Sequence, residues 1–62
     1  MKMIKFQTFG DDVKVAVNPA LVTVIEEGKV DNTTKIYFTG GENDFIRVDE
    51  PFKNVLKKFQ EV

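Results

Sequence analysis

Apolar and polar residues alternate with a period of two along most of this chain and change to a helical period only near its end. Over residues 4–9, Ile4, Phe6 and Thr8 alternate with Lys5 and Gln7, which suits a half-buried strand. Gly10-Asp11-Asp12 breaks the run. Glycine accepts positive φ and aspartate bonds its own backbone, so the triplet predicts a hairpin loop and an antiparallel return. Val13, Val15 and Val17, separated by Lys14 and Ala16, supply the returning strand with β-branched residues on one face. Asn18-Pro19 stops it, because proline lacks the N–H a ladder needs. Asparagine as a cap and proline in the first helical position predict one short turn over residues 19–21.

Val22-Thr23-Val24-Ile25 is apolar at nearly every position before Glu26-Glu27-Gly28. Such a run predicts either a strand covered on both faces, at the centre of the sheet, or a sharp bend. Residues 28–32 form a polar loop. From Thr34 to Thr39 the pattern returns to strict alternation, with Ile36 and Phe38 on one side and Lys35 and Tyr37 on the other. Gly40-Gly41-Glu42-Asn43 is a strong turn signal, and Phe45-Ile46-Arg47-Val48 closes the last hairpin with Ile46 and Val48 inward. Keeping Ile36, Phe38, Ile46 and Val48 on one face requires a loop with an odd number of residues. At Asp49-Glu50-Pro51 the period changes. Phe52, Val55, Leu56 and Phe59 then lie at i, i+3, i+4 and i+7, the stripe of an amphipathic helix, with Lys53, Asn54, Lys57, Lys58 and Gln60 opposite. Acids before the helix and lysines toward its end match its dipole.

These elements predict a small α+β domain. Five antiparallel strands form a strongly bent sheet whose inner face is Phe6, Val15, Val17, Val24, Ile36, Phe38, Ile46 and Val48, covered by one C-terminal helix. Closure of the same strands into an open SH3-like or Sm-like barrel is the alternative.

Length and composition narrow the chemistry. Sixty-two residues with 42% hydrophobic and 31% charged residues make one globular domain. A core this small only just offsets the entropy of ordering the chain, so self-association is expected. Lysines at positions 2 and 5 interrupt any signal-peptide stretch, and no apolar run is long enough to span a bilayer, so a cytoplasmic location is expected. Cysteine, histidine, serine and tryptophan are all absent. That removes disulfides, the usual zinc and haem ligands, thiol and serine nucleophiles and the commonest general base, so no catalysis, metal or cofactor is expected. The net charge of −1 provides no global attraction for nucleic acid or anionic lipid.

Met3-Ile4, Gly10, Asn18, Ile25-Glu26-Glu27, Thr34-Lys35-Ile36-Tyr37-Phe38, Gly40-Gly41, Val48-Asp49-Glu50 and Val55 follow one another in an order that resembles the small flagellar FlbD family, also called the SwrD swarming-motility family. The likeness runs from Met3 to Phe59. It departs at Phe9-Gly10-Asp11, where the family has Leu-Asn-Gly, at Pro51, where it has a Ser- or Thr-rich helix start, and at Glu42-Asn43-Asp44, which lengthens the last hairpin. The resemblance implies a non-enzymatic accessory to bacterial flagellar motility.

Among candidate sites, the acidic pairs Asp11-Asp12, Glu26-Glu27 and Asp49-Glu50 fall at turns or a helix start, where acids are favoured for backbone reasons. Asp31-Asn32-Thr33-Thr34 and Glu42-Asn43-Asp44 lack the spacing of a calcium loop, and Gly40-Gly41 precedes a strand rather than the helix a phosphate cradle needs. Asn32-Thr33-Thr34 matches a glycosylation pattern but reads as a polar turn. Lys53, Lys57 and Lys58 predict a solvated basic face on the helix rather than a membrane-binding one. The outer side of the last hairpin is richer. If Ile36, Phe38, Ile46 and Val48 face the core, then Lys35, Tyr37, Phe45 and Arg47 share the opposite face. Two aromatics with two cations suit a contact with a protein or a second copy of the chain. They also suit base stacking with phosphate contacts, or plain cross-strand pairing. The expected function is a non-enzymatic interaction or self-assembly module, homo-oligomeric or bound to another protein. A small-barrel nucleic-acid-binding regulator is the alternative.

Overall fold

A computed structural model describes residues 2–40 and 43–62. Strands β1 (Ile4–Gln7) and β2 (Lys14–Val17) form the first antiparallel hairpin, with Ile4 opposite Val17 and Phe6 opposite Val15. The reversal uses two left-handed residues, Gly10 at φ +93° and Asp12 at φ +55°. Thr8 ties its two sides together: its N–H donates to the Val13 carbonyl (2.8 Å), and its Oγ1 accepts from the Val13 N–H (3.1 Å). Nothing lies within 4 Å of where a Cβ on Gly10 would sit, so a side chain there meets only the backbone penalty of positive φ. Gly10→Ala is therefore expected to cost about 1–2 kcal/mol. It should appear in urea titration as a lower midpoint at unchanged slope.

The short turn falls at Pro19–Leu21, as Asn18-Pro19 predicted, with Asn18 Oδ1 accepting the Ala20 N–H at 3.0 Å. Three more strands, β3 (Val22–Glu27), β4 (Thr34–Phe38) and β5 (Phe45–Val48), pair antiparallel in the order β3-β4-β5. β4 is thus the central strand, and β3, expected at the centre, lies at the edge. The apolar run in β3 has another cause. Its register slips between Val22, which pairs with Phe38, and Val24, which pairs with Tyr37, leaving Thr23 as a bulged residue. Val22 and Ile25 then pack on the core while Val24 turns outward, 51% exposed, so Val24 does not belong to the inner face as expected.

The domain is α+β with antiparallel sheets, but its five strands divide into a two-stranded and a three-stranded sheet. The sheets meet at a bridge between Thr8 and Val48, where the Phe9 N–H donates to the Arg47 carbonyl (2.9 Å) and the Asp49 N–H donates to the Gln7 carbonyl (2.8 Å). β1 ends at Gln7, close before the Gly10 turn, so little of it remains to pair with β5. Barrel closure would also pair β2 with β3, and no such pairing exists among the described residues. In the last hairpin the Phe38 N–H donates to the Asp44 carbonyl, so an odd number of positions separates the two, as the shared inward face requires. Gly41 and Glu42, at the middle of the expected turn, lie outside the described residues.

Helix α1 (Phe52–Gln60) starts after Pro51, whose carbonyl accepts from the Asn54 and Val55 N–H groups. Its stripe is narrower than the periodicity suggested. Val55 is fully buried and Phe59 packs on the core, while Leu56 is 38% exposed. Ile4, Phe6, Val17, Ile36, Val48 and Val55 form the buried cluster between helix and strands. Two threonines are buried with it. Thr33 Oγ1 donates to the Val30 carbonyl (2.6 Å), and Thr34 Oγ1 donates to the Glu50 carbonyl (2.8 Å), so neither hydroxyl is unpartnered. The second bond fixes the start of β4 to the residues that lead into α1.

Candidate interaction surface

Ile36 is fully buried, and side chains alternate across a strand, so Lys35 and Tyr37 must leave β4 on the opposite face. The register of β5 sets Ile46 opposite Ile36, Arg47 opposite Lys35 and Phe45 opposite Tyr37. The four residues expected to share the outer face therefore lie together. The Tyr37 and Phe45 rings are tilted at 37° with centroids 5.4 Å apart, and the Lys35 ammonium stands 5.0 Å above the Phe45 ring. An aromatic pair adds about 0.5–1.5 kcal/mol to a sheet and an exposed cation–π contact about 0.5–1. Cross-strand pairing thus accounts for part of the arrangement. It does not bury the surface: Phe45 stays 37% exposed, Arg47 is exposed, and Lys35 and Tyr37 are half-buried.

The bulge at Thr23 enlarges this face with two residues the alternation did not place there. Val24 stands opposite Tyr37, and Glu26 stands opposite Lys35. The outer face is thus built of two parallel rows across three strands: Val24, Tyr37 and Phe45 make an apolar row, and Glu26, Lys35 and Arg47 a charged one. Exposed apolar side chains continue it. Leu21 precedes β3, its carbonyl accepting from the Thr39 N–H, and Phe9 is bonded through its N–H to Arg47. No residue type signals a bulge at Thr23, so sequence alone had no means of adding Val24. Glu26 follows from the same shift in register.

Elsewhere the charged residues have local duties. Asp12 occupies a left-handed turn position. The pair Glu26-Glu27, expected at a turn, instead ends β3, because the strand runs on through Glu27 in register with Lys35 and Thr34. Glu50 Oε2 holds the Lys58 ammonium at 2.7 Å. That ammonium also donates to the Lys5 carbonyl (3.2 Å) and lies 4.8 Å above the Phe6 ring. Lys58 is therefore turned toward the β1–β2 hairpin and does not share the solvated outer face expected for it with Lys53 and Lys57. An open cleft of about 570 Å³ beside it is bordered by Lys5, Gln7, Lys14 and Glu50. No group of three potential metal ligands gathers among the described residues, and no described helix is long and apolar enough to cross a membrane. Searched against protein-family models, curated proteins and solved structures, the chain matches none of them.

Proposed function

We propose that this chain is a non-enzymatic interaction module of the cytoplasm that binds another protein surface through the outer face of β3, β4 and β5. The observation that carries the reading is the row Val24, Tyr37 and Phe45. It is an apolar strip left open on a sheet whose other face is sealed by α1 and the first hairpin. Tyr, Phe and Arg are the residues that interface cores favour, and here they stand on a rigid three-stranded support rather than on loops. The resemblance to the FlbD and SwrD family supports a place for this contact in flagellar motility. A second reading, single-stranded nucleic acid stacked on Tyr37 and Phe45 with Lys35 and Arg47 at its phosphates, is favoured by the neighbouring cations. Glu26 in the same row and the net charge of −1 weigh against it.

Replacing Phe45 by a photo-reactive benzoylphenylalanine and irradiating living cells tests the two. A protein adduct at position 45, abolished when Tyr37→Ala is added, is the expected result. An adduct that nuclease removes supports the second reading, and no adduct at all sinks both. In purified form Tyr37→Ala with Phe45→Ala should keep the circular dichroism of the fold. It should weaken binding by about 30-fold or more, as expected for paired aromatic anchors.

A further inference from the structure

Resting on that reading of the face, we infer that its occupant is a second copy of the chain, docked face to face about a twofold axis parallel to β4. Charge complementarity carries the inference. The charged row runs from an acid on one edge strand to bases on the centre and the other edge: Glu26 on β3, Lys35 on β4, Arg47 on β5. A twofold along β4 exchanges the edges of the facing sheets while keeping each row over its own copy. Glu26 of one molecule then faces Arg47 of the other, twice. Val24 faces Phe45 of the second copy, also twice, and the two Tyr37 rings meet near the axis. A twofold across the strands would instead set β3 over β3 and leave both Glu26–Arg47 pairs unmade. Lys35 is the one like-charged residue close to the proposed axis. Its ammonium is drawn over the Phe45 ring, toward β5 and away from the axis.

Aligned sheets pack in this way about 10 Å apart, with strand directions within about 30° of each other. Three strands with about four residues each give a patch about 14 Å on a side, below the usual interface of about 800 Å² per partner. The dimer is therefore of the weak, reversible kind.

Sedimentation equilibrium from about 10 μM to 1 mM should show the 7.1 kDa chain approaching twice its mass. Glu26→Arg alone and Arg47→Glu alone each place like charges across the axis twice, and each should weaken the dimer by about tenfold or more. Mixed one to one, these two variants regain both opposite-charge pairs and should dimerise with each other as the parent does. The double variant Glu26→Arg with Arg47→Glu should also dimerise, and its unchanged composition controls for folding. A mixture that stays monomeric, or single variants that dimerise normally, overturns the twofold. If such dimers are still lost with Tyr37→Ala and Phe45→Ala, the face stands as the contact and only this geometry fails. A parent chain that is monomeric throughout removes the second copy as occupant, and the adduct at position 45 then decides whether the face binds a different protein. A dimer that survives the aromatic double variant places the contact elsewhere and overturns both proposals.

Discussion

Phe6→Ala is expected to remove about 3–5 kcal/mol of stability, enough to unfold much of the population at 37 °C. A domain of 62 residues has about 3–9 kcal/mol in total. Phe6 is 4% exposed, and its ring does three things at once. It fills the space between hairpin and helix, stacks on Phe59 at a centroid distance of 5.9 Å, and underlies the Lys58 ammonium at 4.8 Å. Burial is the largest of these terms, since the aromatic pair adds about 0.5–1.5 kcal/mol and the cation, on a partly exposed lysine, about 0.5–1. Phe6→Leu separates them. It keeps most of the apolar volume and loses the ring contacts, so its cost should be about 1–1.5 kcal/mol. Urea titrations followed by circular dichroism measure both. Equal costs for Leu and Ala would show that ring contacts, not burial, dominate.

Ile36→Ala is expected to cost about 4 kcal/mol. Its site is fully buried at the middle of the central strand, paired with Ile25 on one side and Ile46 on the other. Strands on both flanks prevent the cavity from collapsing, so the loss falls toward the upper part of the range for such truncations. Ile36→Val, which removes one methylene, should cost about 1 kcal/mol. A measured loss below about 2 kcal/mol for the alanine variant would mean that the sheet closes around the gap.

How far the chain could be read in advance follows from where each signal lives. Hairpins, the turn at Pro19 and the helix were legible because single residues dictate them: glycine for positive φ, proline for a missing donor, apolar spacing for a face. Lys35, Tyr37, Phe45 and Arg47 were legible for a related reason. Once Ile36 and Ile46 are inward, their neighbours have only one other side to occupy. Val24 was not, because the bulge at Thr23 is decided by how β3 fits against Phe38 and Tyr37, a tertiary matter. The central place given to β3 failed with it, since a bulged edge strand and a doubly covered strand both read as unbroken apolar runs. Division into two sheets depends on how many residues of β1 reach past Gln7 to β5, and a difference of one or two residues decides it. Lys58 looked like one more solvated lysine. Only the closeness of helix and hairpin shows the carboxylate, carbonyl and ring that hold it.

The bond from Lys58 to the Lys5 carbonyl joins residues 53 positions apart, and Phe6 waits for Phe59 over the same span. On a ribosome adding about 5–20 residues per second, that interval is about 3–10 s. Until α1 has been made and released, the first hairpin lacks the helix that covers the apolar face of Phe6, Val15 and Val17. Its strands are four residues each, and Lys5 and Lys14 punctuate them, features that discourage pairing with a neighbouring nascent chain. Charge at Lys5 and Lys14 therefore disfavours such pairing in the interval before α1 can cover the core.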